Sequence, residues 1–395
     1  MLLAFGFMRY LNTIRHKFSA EITGVPGYLQ SKNYPALTGI RGLAIILVLL
    51  YHLGINHWLR HYDGWLFGRT GVDIFFVLSG FLITTLLIKE KIDSGNISLK
   101  RFYARRALRI VPVAYLFLVA MILINYLFSL NITVKSFLFG FLYLKNLPIT
   151  NINDHWTTHL WSVSIEMQFY LFFPLLLFVN INKTAVLAAT AVIGILIFSL
   201  LGFNHTGIFY SNAVLYRFCR IAMDAFWEGP FPILIGSLFS VLAFKGIING
   251  KVKYAGILYF VLLVTAIIIR SRTFWFYTPY LSEFVFDVLI GFTIVMSTGS
   301  VNLFTRLMNT RFLAWMGTLS YSIYIWQQIF VWIPMYWVTN NTLFILADVL
   351  RLACMIGTAC LSYYFFERKF LRLKMHYAVG DPRGKTIKNK LNPGS

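Results

Sequence analysis

The chain has 395 residues, of which 58% are hydrophobic and only 12% charged, with a mean hydropathy of +0.70 and a formal net charge of +21. A soluble domain carries about a quarter charged residues, so this composition cannot clothe a water-facing surface and most of the surface must face lipid. The basic residues fall mainly between apolar segments, which makes them a topology signal and excludes a nucleic-acid partner as the reason for the charge.

Residues 1–33 mix Phe, Leu and basic side chains up to a break at Gly24 and Pro26. That is the pattern of an amphipathic helix lying on a membrane and not of a cleavable leader. From residue 34 onward, stretches of the roughly 20 apolar residues that cross a bilayer recur. They cover residues 36–55, 71–89, 110–130, 160–181, 184–203, 229–245, 254–270, 281–300, 312–334 and 343–366. Residues 134–148 are apolar but short and are closed by Pro148, which suits a re-entrant or interfacial segment.

With the N-terminus inside, most of the 35 Lys and Arg fall in cytoplasmic segments. A full crossing by 134–148 would invert every later loop and turn the basic tail outward. The expected fold class is therefore all-α, a polytopic membrane helix bundle of about ten transmembrane helices with both termini cytoplasmic. Its parts are an N-terminal juxtamembrane segment (1–33), a transmembrane domain (34–370) and a basic cytoplasmic tail (371–395). Cys219, Cys354 and Cys360 lack CxxC spacing, so neither a disulfide framework nor a metal site is expected.

Charged groups inside a span are expensive and mark function or pairing. The first span carries Arg41 near its inner end and His52 near its outer end. Eleven residues turn a helix by about 1100°, some 20° past three full turns, so both project from one face about 16 Å apart. Arg41 alone reads equally as a snorkelling anchor, and His52 alone as an interfacial polar residue. Asp73 enters the second span near the outer face, and Glu166 lies about two turns below the outer end of the fourth. A His at the depth of a carboxylate is a general-base arrangement, the carboxylate orienting the imidazole.

Between the second and third spans, Arg101, Arg105 and Arg109 fall at i, i+4 and i+8, with Arg106 beside them, before Pro112. This basic amphipathic stretch suits anionic-lipid contact or capture of phosphates from a nucleotide-bearing donor. Ser162 and Gln168 flank Glu166 and suit interhelical hydrogen bonds.

Five segments together resemble the acyltransferase-3 family of integral membrane acyltransferases. They are Tyr34 to Ala44 with His52 at Arg-x10-His spacing, Gly71 to Phe81, the Arg-rich run from Arg105 to Pro112, Trp161 to Tyr170, and Leu319 to Trp326. The resemblance spans roughly residues 34–370. Two positions depart from the family pattern: Gln327 stands where His is frequent, and Lys369 follows Glu367 and Arg368 where Pro is frequent. Many relatives also carry a fused extracytoplasmic esterase-like domain, for which this chain has no room.

The resemblance implies acyl-CoA, commonly acetyl-CoA, as the donor substrate, with no permanently bound cofactor, and a hydroxyl of an envelope glycan or other glycosylated acceptor. His52 would be the general base, with Glu166 or Asp73 as its orienting carboxylate. Arg41, Arg106 and Arg109 would bind the donor. Ser162, Tyr321, Tyr324 and Gln327 are candidates to line the acceptor cavity. The implied location is a bacterial cytoplasmic (inner) membrane. A transporter or flippase with a charged substrate path is the alternative, and that class usually shows internal repeats, of which none is visible here.

Overall fold

The computed structural model describes residues 12–13, 16–31, 33–53, 65–147, 154–203, 212–227, 229–251, 255–270, 277–299, 301–332 and 341–377. Part of the N-terminal segment, residues 204–211, the tail beyond residue 377, and Pro148 with its neighbours lie outside them.

Helices account for nearly all of the described chain. In order they are α1 (Pro35–His52), α2 (Trp65–Ser94), α3 (Leu99–Phe128), α4 (Val134–Phe141), α5 (Leu160–Val179), α6 (Ile181–Phe203) and α7 (Ala213–Trp227). There follow α8 (Phe231–Phe244), α9 (Ala255–Arg270), α10 (Leu281–Ser297), α11 (Leu303–Met308), α12 (Arg311–Val331), α13 (Asn341–Leu361) and α14 (Arg368–Lys374). A π-helical segment, Ser362–Glu367, joins α13 to α14.

Each of the ten apolar stretches contains a helix among the described residues. Among the described residues, six helical stretches are long and apolar enough to cross a bilayer by themselves, or seven if the bent α7–α8 pair is one span. The other segments differ for two reasons. Helices α8, α9 and α10 have 14, 16 and 17 residues, so at 1.5 Å per residue they fall short of a hydrocarbon core about 30 Å thick. Helix α12 has 21 residues but carries Ser, Tyr and Gln on several faces, as suits a helix enclosed by protein.

The arginine-rich stretch is also not a loop ending at Pro112. It forms the first turns of α3, a single helix of 30 residues that continues through Pro112 to Phe128. Residues 134–148 contribute the short helix α4, eight residues long and capped by Thr133, whose side chain accepts from the Ser136 amide.

The chain divides into two compact units, residues 1–93 with 176–320, and residues 94–175 with 321–395. In the first unit, helices meet backbone to backbone through glycine. A Cβ on Gly80 would stand 1.9 Å from the Ile233 carbonyl oxygen, and one on Gly236 would stand 2.0 Å from that of Val77. Helices α2 and α8 therefore approach as closely as small residues permit, the usual means of association where lipid removes the hydrophobic drive. Thr85 and Ser240 add a hydrogen bond of 2.9 Å across the same pair. The segment before α1 is clasped to this unit: Lys17 Nζ donates to the Gly246 carbonyl, and Lys245 Nζ to that of Ala20.

In the second unit α3 and α5 run antiparallel. Tyr103 donates to the Leu171 carbonyl at one end of the pair, and Phe117 meets the His159 ring edge-on at the other. Val119, Leu123 and Leu127 of α3, with Leu171 and Phe172 of α5, stay exposed. So large an apolar face belongs to a lipid-facing surface.

Candidate functional site

Arg41 and His52 both lie on α1, as their spacing requires, and His52 is its last residue. Between them on the same face, at i+4 and i+7 from Arg41, stand Ile45 and Val48, which are buried. The face is thus turned into protein, whereas a lipid anchor would point its stem outward. Both polar residues are half-buried, and the His52 imidazole meets the Tyr51 ring edge-on at 4.9 Å.

Asp73 is buried in α2 and engaged by two guanidinium groups. Arg69, one turn earlier, approaches to 3.0 Å, and Arg270, the last residue of α9, approaches to 2.6 Å. Arg69 is at a legible i,i+4 spacing, although it was not singled out in the sequence. Nothing local to the sequence could have supplied Arg270.

Glu166 belongs to the second unit, where it accepts a hydrogen bond from the Tyr170 hydroxyl one turn along α5. Tyr170 in turn faces Arg106, whose guanidinium lies 5.4 Å from the Tyr170 ring centre and 5.8 Å from that of Phe102. Tyr170 and Glu166 attract the Arg106 guanidinium, and Arg109 and Arg105 repel it. Glu166 therefore sits at the level of the arginine cluster within its unit, below the Phe117–His159 contact that marks the other end of the α3–α5 pair. Arg109 is within Coulomb reach of Glu367, which accepts from the Ser322 hydroxyl.

The four candidate lining residues divide. The Ser162 and Tyr324 hydroxyls share a hydrogen bond of 2.6 Å, and Tyr324 also donates to the His159 carbonyl. Tyr321 donates to the Ile110 carbonyl at 2.7 Å. These contacts pin α12 to α3 and α5. Gln327 is fully buried, and its amide has no hydrogen-bond partner among the described residues.

One polar cluster in the second unit escaped sequence reading. Lys145 and Asp154 form an ion pair of 3.0 Å, and the Ser136 and Thr157 hydroxyls both donate to Asp154. Burial alone would raise the Asp154 carboxyl, but these hydroxyls and the Lys145 ammonium hold it below its ordinary range. Burial lowers the Lys145 ammonium in turn. The pair ties α4 to the loop leading into α5. Among the described residues, no group of three or more His, Cys, Asp or Glu could hold a metal ion.

These features define a polytopic membrane helix bundle with arginines, carboxylates and a histidine held inside it. The family model for the acyltransferase domain matches residues 34–367, so the chain belongs to the acyltransferase-3 family. It is 27% identical to the peptidoglycan O-acetyltransferase OatA of Listeria monocytogenes over 365 residues, 85% of this chain and 55% of that protein. It is 29% identical to the O-acetyltransferase OatA of Staphylococcus aureus over 363 residues, 84% of this chain and 56% of that protein. The chain thus spans little more than half the length of these relatives. No solved structure matches it.

Proposed function

We propose that this chain is a membrane-embedded O-acyltransferase that moves an acyl group, commonly acetyl, from acyl-CoA on the cytoplasmic side to a hydroxyl of an envelope glycan or other glycosylated acceptor. The cytoplasmic membrane of a bacterium is the proposed location. The observation that carries the reading is the Arg41–His52 pair on one inward-turned face of α1. Family membership and the names of the relatives support it.

His52 is the proposed general base. It takes the proton as the acceptor oxygen attacks the thioester carbonyl. The new C–O bond replaces the C–S bond, and the proton passes to the departing CoA thiolate. An imidazole suits the task because its unperturbed pKa is about 6.5. Arg41, Arg106 and Arg109 are the proposed donor-binding residues, the guanidinium being suited to paired phosphate oxygens. Ser162, Tyr321, Tyr324 and Gln327 remain the candidates for the acceptor side.

The two carboxylates receive revised roles. Because Glu166 is tied to Tyr170 and Arg106, its proposed role is to position the donor-binding arginine. Because Asp73 is held between Arg69 and Arg270, its proposed role is to hold that end of the first unit together.

The test is consumption of radiolabelled acetyl-CoA by the purified chain in lipid nanodiscs, with and without a glycan acceptor. Release of free CoA with the label on the glycan is the expected result. Binding or movement of a substrate with the thioester left intact would overturn the reading in favour of a transporter.

A further inference from the structure

The first unit holds a cavity of about 220 Å³ with walls from three separate stretches of chain. Glu21 lines it from the segment before α1, Lys91 from the last turn of α2, and Asn180 and Asn182 from the junction of α5 with α6. Contacts outside the two charged groups fix these walls. Asn182 accepts from Lys245 Nζ at 2.7 Å, and the same ammonium donates to the carbonyl of Ala20, next to Glu21. Asn180 accepts from the Lys183 amide at 2.8 Å through its side-chain oxygen, which keeps its amide nitrogen as a donor. Ile22, Ile92 and Ile181 give the cavity an apolar side and pack against the core of the unit.

Two opposite charges thus share one cavity, yet no ion pair joins Glu21 to Lys91 among the described residues. Charges that line a cavity without meeting each other suit a guest that carries both signs. The volume corresponds to about seven waters at ~30 Å³ each, the bulk of a phosphate joined to a short ammonium. Lys91 and the Asn180 amide can donate to phosphate oxygens, and such charge-assisted bonds are the stronger class. Glu21 can accept from the N–H groups of an ammonium.

The surroundings point to a lipid as the carrier of that guest. Leu176 and Val179, directly before the junction, and Val186 and Leu187, early in α6, are exposed large apolar side chains. Acyl chains can lie along these faces while the headgroup fills the polar cavity beside them. Basic pockets between membrane helices are seats for lipid phosphates.

We propose that this cavity binds the headgroup of a membrane phospholipid carrying both a phosphate and a primary ammonium, the phosphate at Lys91 and Asn180 and the ammonium at Glu21. The bound headgroup bridges the segment before α1 to α2 and α6. The site does not depend on the acyltransferase reading.

The experiment is native mass spectrometry of the full chain released from nanodiscs made of equal parts phosphatidylethanolamine, phosphatidylglycerol and phosphatidylcholine. Wild type should retain phosphatidylethanolamine about tenfold over the other two, the factor that a hydrogen bond to a charged group supplies. Phosphatidylglycerol has no cation for Glu21, and the quaternary ammonium of phosphatidylcholine has no N–H to donate. Glu21→Lys should turn the preference toward phosphatidylglycerol, and Lys91→Glu should lose the retained lipid. Glu21 is exposed and Lys91 half-buried, so neither substitution opens the core. Equal retention of the three lipids by wild type, or an unchanged preference in Glu21→Lys, would overturn the proposal. Soluble phosphoethanolamine at the same concentration should leave the lipid bound, because it lacks the acyl chains. Displacement of the lipid by it would overturn the assignment to a membrane phospholipid.

Discussion

Replacing His52 by Ala should separate chemistry from stability. His52 closes α1, is half-buried, and is seen against the Tyr51 ring next to it. The helix-ending bond from the Leu53 amide to the Leu49 carbonyl is made by backbone alone and survives the substitution. The expected loss of stability is about 1 kcal/mol or less, as for substitutions that open no core cavity and break no buried network. Loss of a general base should lower the acyl-transfer rate by a factor of roughly 100 to 10,000, or about 3 to 5 kcal/mol of barrier. Arg270→Met is the converse. Among the described residues it leaves the Asp73, Glu283 and Asp287 carboxylates facing only Arg69. Breaking a buried pair costs about 3 to 5 kcal/mol, so that variant should give little folded protein but near-normal activity per folded molecule. The assay is transfer of labelled acetyl per folded molecule in membranes, beside thermal unfolding in detergent. Near-normal transfer by folded His52→Ala would refute the base assignment. A wild-type melting temperature for Arg270→Met would refute the reasoning about the ion pairs.

Arg106→Ala and Arg109→Ala should raise the acetyl-CoA concentration needed for half-maximal transfer by about tenfold, the value of a contact worth about 1.4 kcal/mol, with less effect at saturation. Glu166→Gln and Tyr170→Phe should move the same parameter if they position Arg106, and a titration of donor dependence checks all four. For topology, a cysteine at Asn212 should react with an impermeant reagent from outside and one at Asn249 should not; the reverse pattern would overturn the orientation. For pH, the depressed Asp154 carboxyl contributes stability that is present above the ordinary carboxylate pKa, about 4, and is lost as pH falls through its lower folded value. Asp154→Asn should therefore lose that component of acid sensitivity in melting curves and destabilise the α4 region by leaving Lys145 unpaired.

The helices were legible because each is a local property: a run of apolar residues long enough to satisfy its own backbone in lipid specifies a span without reference to the rest of the chain. The Arg41–His52 face was legible for the same reason, since helical periodicity fixes which residues share a face. Counting along a helix put Glu166 near the outer end of its span, yet the pairing of α3 with α5 sets it at the level of the arginine cluster, and the partners of Asp73 and Glu166 were not legible either. Depth orders residues along the membrane normal and says nothing about which helices are neighbours around the bundle. Asp73 meets Arg270 because α2 and α9 are packed in one unit, and Glu166 meets Arg106 through Tyr170 because α3 and α5 are antiparallel neighbours in the other. Sequence alone determined a membrane bundle with titratable groups inside it. Which of those groups compensate one another was decided only by tertiary packing, because a buried charge is governed by whatever lies within a few ångströms in space, however distant in sequence.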